Sequence, residues 1–279
     1  MLYLVATPIG NLGDITARAL DVLRTVDVIA AEDTRVTRKL LSHYAIKTHL
    51  ISYHEHSGAA AIDAIVRRMT ESGQSVALVT DAGTPAISDP GYDLVSAALD
   101  AGAAVTPIPG PAAFVAALVG SGLPTARFLF EGFLPRTKST RLQKLSSLKS
   151  EVRTLIFYES PHRIGATLRE IADVLGGDRR ACVARELTKM FEEFRRATLA
   201  ELAAHYSGEK TRGECVLVVA GLEPGKVQAG LPAVDSGDGL ESEPARGKDL
   251  IKQLADDLGV PKRDVYQMVL ELKGRKGRD

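Results

Sequence analysis

Only two cysteines occur in the 279 residues, Cys182 and Cys215, and both stand in apolar, strand-like runs. That is too few for a disulfide framework or a zinc site. No apolar run approaches the roughly 18 to 20 residues that a membrane span needs. The opening Met1-Leu2-Tyr3-Leu4-Val5-Ala6 carries no basic leader and runs at once into a strand, so no signal peptide is expected. Together these absences predict a cytoplasmic chain with no membrane contact.

Net charge is missing too, because 35 Lys and Arg balance 35 Asp and Glu. Wrapping naked nucleic acid rests on many phosphate contacts and would want an excess of cations. A locally basic surface is still enough to dock on RNA. Two such excesses exist: Arg136, Lys138, Arg141, Lys144 and Lys149 with no acid between them, and Lys273, Arg275, Lys276 and Arg278 near the end. A solvated helix face and a solvated tail are the plain alternatives. The Gly-x-Gly-x-x-Gly fingerprint is also absent, which speaks against a nicotinamide-dependent oxidoreductase. Tyr53-His54-Glu55-His56 offers only two His on alternating strand positions, so no metal is expected.

What is present is a regular alternation. Apolar strands are predicted at Leu2–Ala6, Val26–Ala31, His49–Tyr53, Val76–Thr80 and Ala104–Ile108, with the clearest helices at Ala59–Thr70 and Tyr92–Ala101. The runs do not alternate in and out, which predicts a parallel α/β sheet covered on both faces. Such open sheets bind ligands at the carboxyl ends of their strands. Those ends hold Thr7-Pro8-Ile9-Gly10-Asn11-Leu12, the Asp81–Gly91 loop and Pro107-Ile108-Pro109-Gly110-Pro111-Ala112-Ala113. Gly allows close backbone approach and Pro stiffens the chain, so three such loops on one edge predict a backbone-lined cleft.

Residues 1–120 are therefore read as a first α/β domain, and 121–222 as a second with a mixed or antiparallel sheet. Its strands are expected at Phe128–Phe133, Thr154–Tyr158, Ala181–Arg185 and Cys215–Ala220, and its helices near Thr140–Lys149 and Pro161–Leu175. Residues 223–247, with three Pro, five Gly and no aromatic residue, read as a linker. Lys248–Leu258 and Pro261–Lys273 read as a small helix-turn-helix-like pair, with Gly259 and Pro261 at the junction.

The loops resemble one known family closely. Leu2–Thr16, Ala31-Glu32-Asp33-Thr34-Arg35, Asp81–Gly91 and Pro109–Ala113 are similar to the ribosomal RNA methyltransferase I branch of the tetrapyrrole-methylase superfamily. So are Phe157–Arg163, Ala184-Arg185-Glu186-Leu187-Thr188-Lys189 and Gly213-Glu214. The Pro-Ile-Gly-Asn-Leu loop departs from the Gly-x-Gly-x-Gly-Asp of porphyrin methylases. The resemblance implies two α/β domains with S-adenosylmethionine in the cleft between them, in a homodimer. It also implies 2'-O-methylation of a cytidine in the decoding region of 16S rRNA in the small ribosomal subunit.

At the cofactor the expected residues are Pro8, Ile9, Gly10, Asp81, Gly83, Thr84, Pro85, Ile87, Gly110, Pro111, Ala112, Ala113 and Tyr158. A ribose hydroxyl is a weak nucleophile and wants a general base or a strong acceptor. Asp33, Asp81, His54, Glu159 and Glu186 are candidates, with the Glu32–Arg35 strand end favoured and Arg35 set to meet a phosphate. Asp33 or Arg35 simply anchoring the next helix is the competing use. Arg163, Arg185 and Lys189 are candidates to reach RNA or the cleft, with ion pairs to Glu159 or Glu186 as their alternative. Two rivals stand beside this reading: a tetrapyrrole C-methyltransferase on the same fold, and a non-catalytic ribosome-binding protein.

Overall fold

The computed structural model describes residues 1–208, 211 and 213–223. The remainder of the linker and the helix pair expected over 248–279 lie outside them. Both sheets of the described part belong to one compact unit, Met1–Val227.

The first sheet contains β1 (Leu2–Val5), β2 (Val28–Ala31), β3 (His49–Ser52), β4 (Val76–Val79) and β5 (Val105–Ile108), all parallel, in the order β3-β2-β4-β1-β5. Four helices connect them: α1 (Ala17–Thr25), α2 (Thr34–His43), α3 (Gly58–Thr70) and α4 (Tyr92–Asp100). Successive strand residues enter different cores. Ile29, Ala31, Ala77 and Val79 pack with Ala19 and Leu23 of α1 and Leu41 of α2, while Ala30, Val76 and Leu78 pack with Ile65 and Met69 of α3 and Leu94 of α4. A sheet buried on both faces leaves no polar side, which is why these strands read as unbroken apolar runs.

The second sheet is mixed, as expected for this half. It contains β6 (Phe128–Phe133), β7 (Thr154–Glu159), β8 (Arg180–Arg185), β9 (Glu193–Thr198) and β10 (Cys215–Val219), in the order β6-β7-β10-β8-β9. Only β6 and β7 run parallel. One face packs Leu155, Phe157, Val183 and Leu217 against α7 (Ile164–Leu175) and α8 (Leu199–His205), with α6 (Lys138–Ser147) beside them. The other face packs Ile156, Cys182, Ala184, Val216 and Val218 under α5 (Ala113–Gly120). Helix α5 follows the last strand of the first sheet and covers the second, so its apolar sequence joins the two halves beneath the cleft.

Helix α5 escapes the sequence pattern, and so do two elements of the second half. Strand β9, Glu-Phe-Arg-Arg-Ala-Thr, pairs only with β8, and charged side chains are usual on such an edge. Helix α8 is short and rests on a capping box in which Thr198 and Glu201 bond each other's backbone N–H. Among the described residues no helix is long and apolar enough to cross a membrane.

Candidate functional site

The loops after β1, β4 and β5 are tied to one another through their backbones. Thr7 donates its N–H to the Gly83 carbonyl at 2.8 Å and accepts from Gly83 N–H at 3.0 Å. The Thr7 hydroxyl donates to the Thr80 carbonyl at 3.0 Å, and that of Thr84 to the Pro111 carbonyl at 3.2 Å. Gly83 sits at φ +91, and a Cβ on Gly110 would stand 2.9 Å from Cβ of Ala6. The first position needs glycine for its backbone angle, the second for space. Ala86 and Ser88 also lie at positive φ, 68 and 61. Strain of this kind costs about 1–3 kcal/mol per residue and gathers at functional sites.

The second half closes the opposite wall. Strand β6 shifts register between Phe130 and Gly132, and a Cβ on Gly132 would meet Ser88 Oγ at 3.2 Å. The turn after β8 is strained as well, with Glu186 at φ 50 and Thr188 at φ 66. Glu186 fills the space beside Gly213, and the Lys189 stem lies against Gly10. Lys189 Nζ bonds Glu186 Oε1 at 2.9 Å. Between the walls is a cavity of about 440 Å³, within the usual range for a small-molecule site.

The cavity has an apolar side and an acidic one. Ile9, Ile87, Ala112, Ala113 and Phe114 line the first, whereas Glu32, Asp81, Asp89 and Glu214 line the second. Burial, with Glu32, Asp81 and Glu214 adding repulsion against a Thr80 hydrogen bond, pushes the Asp89 carboxyl up to about 6. Asp81 is raised chiefly by burial and accepts the Asp33 N–H at 3.0 Å. Glu32 accepts the Thr80 hydroxyl at 2.8 Å. Burial also pushes Tyr158 up to about 12, so its phenol stays neutral. Glu159 is buried, accepting from Ser160 N and the Thr167 hydroxyl at 2.7 Å each, with Arg163 at 3.3 Å.

Comparison with known proteins places this arrangement. Residues 1–203 match the family described as Tetrapyrrole (Corrin/Porphyrin) Methylases. A ribosomal RNA small subunit methyltransferase I of Halalkalibacterium halodurans is 51% identical over 273 residues, covering 96% of this chain and 93% of the relative. The relative of that name in Synechocystis sp. is 48% identical, covering 98% of both chains. The chain belongs to the ribosomal RNA small subunit methyltransferase I family, and it is a methyltransferase. Solved structures agree on the fold. A cobalt precorrin-4 methyltransferase superposes with a TM-score of 0.60 at 18% identity, covering 78% of this chain and 94% of its own. A diphthine synthase gives 0.58 at 16%, covering 79% and 89%.

Most residues singled out in the sequence reach this cavity. Ile9, Asp81, Gly83, Thr84, Ile87, Ala112, Ala113, Tyr158, Glu159, Glu186 and Lys189 line it. Pro8, Gly10, Pro85, Gly110 and Pro111 belong to the same loops but do not line the cavity. Asp33 and Arg35 border the cavity without lining it, Asp33 donating its N–H to Asp81. Asp33 caps α2 by accepting the Arg35 N–H at 2.8 Å, and its carboxylate pairs with the exposed Arg35 guanidinium at 2.7 Å. That pairing holds Asp33 at about 2. His54 follows the edge strand β3, with β2 between it and the cavity-forming β4 loop. Glu32, Asp89, Phe133 and Glu214 line the cavity without having been singled out as site residues. Asp89 lay inside the Asp81–Gly91 motif, but its burial depends on the second half. Part of the basic run is internal: Arg141 is buried against Glu170 and Lys144 pairs with Glu131 at 2.6 Å. Arg163 pairs with Glu159, and Arg185 with Glu193. Among the described residues no group of three or more His, Cys, Asp or Glu is placed to hold a metal ion.

Proposed function

We propose that the protein, as a homodimer, transfers the methyl group of S-adenosylmethionine to the ribose 2'-hydroxyl of a cytidine in the decoding region of 16S rRNA. The observation that carries this reading is the two-sided cavity, apolar at Ile9, Ile87, Ala112 and Ala113 and acidic at Glu32, Asp81, Asp89 and Glu214. Such a donor set fits a ligand with a positive sulfur, an ammonium group and an uncharged base. Bound there, the cofactor supplies an activated methyl group on that sulfur. The carboxylates attract the positive charge, and the neutral walls shed water around it, where charge interactions gain strength. Lys189, held by Glu186, is the one lining ammonium among the described residues and suits an anionic end.

Deprotonation of the acceptor is assigned to Asp89. A carboxylate near 6 is ionised at neutral pH, yet more basic than an ordinary Asp. Asp89 would take the hydroxyl proton as the methyl group passes from sulfur to the ribose oxygen, the sulfur–carbon bond breaking to leave a neutral thioether. Asp33, held near 2, is the weaker base. The RNA substrate is inferred from the names carried by relatives covering 98% of this chain. Calorimetric titration of S-adenosylmethionine in EDTA tests the cofactor. Saturable binding is expected, and Gly83→Val should abolish it while lowering the melting temperature by a few degrees, because a β-branched residue resists φ +91 and the loop must shift to take it. No binding by the wild-type protein, or near-native affinity in the variant, would contradict the placing of the cofactor.

A further inference from the structure

The structure assigns Phe133, at the rim of the cavity, to an unpaired nucleobase of the RNA strand, with the exposed Arg136 and Lys138 of the following segment, outside the cavity lining, meeting its phosphates. This inference rests on the RNA reading above. Phe133 lines the cavity and is nevertheless 59% exposed. Its neighbours are not: Phe114 stacks on Phe130 at 4.6 Å between ring centroids, and Phe130 meets Tyr158 edge-on at 5.0 Å. Phe133 touches that cluster only at its margin, 5.4 Å from the Tyr158 centroid. The β6 register shift precedes it, and bulges beside active sites commonly re-aim a side chain. One ring face is thus left uncovered at the mouth of the site.

Charge sorts in the same direction. The acidic wall repels phosphate, so an RNA strand can send in its hydroxyl only if its backbone stays at the rim. Arg136 and Lys138 come three and five residues after Phe133, outside the cavity lining, both exposed and neither in an ion pair among the described residues, although Lys138 helps to lower the Glu170 pKa. A second exposed pair, Met190 at 90% and Phe191 at 70%, follows the lining residue Lys189. Unstacked bases bind aromatic faces in sequence-tolerant fashion, and cations track the backbone between them.

The experiment compares Phe133→Ala, Phe133→Trp and the double variant Arg136→Ala, Lys138→Ala in the full chain. It reads three quantities: the Kd for S-adenosylmethionine, the Kd for a single-stranded oligoribonucleotide, and the KM for small ribosomal subunits. Phe133→Ala should raise the RNA Kd and the KM roughly tenfold, leave the cofactor Kd within about twofold, and be rescued by Trp. The double variant should flatten the salt dependence of RNA binding by about 1.4 in log–log slope. Weakened cofactor binding in Phe133→Ala would show that the ring covers the cofactor, and would overturn the assignment. Unchanged RNA binding, or a change of oligomeric state in its place, would overturn it too. If wild type methylates no subunits but its RNA binding still depends on Phe133, the methyl-transfer reading fails and the rim stands.

Discussion

Asp33 and Asp89 have the same side chain, and their surroundings drive them apart, to about 2 and about 6. Asp33 meets a guanidinium in solvent, whereas Asp89 loses water among Glu32, Asp81 and Glu214. A ligand cation favours the ionised form, so S-adenosylmethionine affinity should rise as pH climbs through about 6 and then level off. Asp89→Asn should bind more weakly at pH 7.5 and show little pH dependence between 5 and 7.5. Stability runs the other way. The folded pKa is raised above the unfolded 3.8, so stability present below pH 4 is lost as pH rises through about 6. The variant should therefore be more stable at pH 7 by roughly 1 kcal/mol after allowing for solvent screening, with the gain gone at pH 4. Calorimetry and denaturant melts check the two halves, and a pH-independent wild-type affinity would contradict the acidic-wall account. None of this contrast is legible in the sequence, where Glu32-Asp33-Thr34-Arg35 looks the more reactive cluster. The Asx-type cap on α2 claims that carboxylate first.

At the scale of elements, periodicity carried most of the parallel sheet, because strands buried on both faces have no polar residues to mislead. Strand β9 was hidden because an edge strand tolerates Glu193, Arg195 and Arg196. Helix α7 starts at Ile164, past the anticipated Pro161, since the segment after β7 is first spent on the bonds around Glu159. That residue ends β7 and anchors the turn to α7 through the Thr167 hydroxyl, the Ser160 N–H and Arg163. Removing it leaves the buried Thr167 hydroxyl, the half-buried Ser160 N–H and a cation without this acceptor. Glu159→Ala should therefore lose about 3 kcal/mol in urea unfolding, with Glu159→Gln losing less. A loss under about 1 kcal/mol would mean that water replaces the carboxylate there, and that the turn does not rely on it.

For the molecule as a whole, the cavity was half visible from the chain. Parallel topology sends the loops after β1, β4 and β5 to one edge, and their Gly and Pro content marks that edge. The facing wall comes from Tyr158, Glu186, Lys189 and Glu214, joined by positive φ at Glu186 and Thr188. No composition signal announces a left-handed Glu or Thr. Beyond the described residues, the basic end of Lys273, Arg275, Lys276 and Arg278 supports one further expectation. Deleting residues 246–279 should weaken activity on ribosomal particles several-fold, more so at low salt, with unchanged cofactor affinity. Unaltered particle methylation at every salt concentration would dismiss a docking role.

Whether the ribose is the methyl acceptor is decided by mapping the modified nucleoside. Small subunits lacking the modification are incubated with the protein and methyl-labelled S-adenosylmethionine, and the RNA is digested to nucleosides and fragments. Label should appear in 2'-O-methylcytidine within one decoding-region fragment and be strongly reduced by Asp89→Asn. Label on a base atom, or methylation of a porphyrin substrate with none on ribose, would contradict ribose methylation.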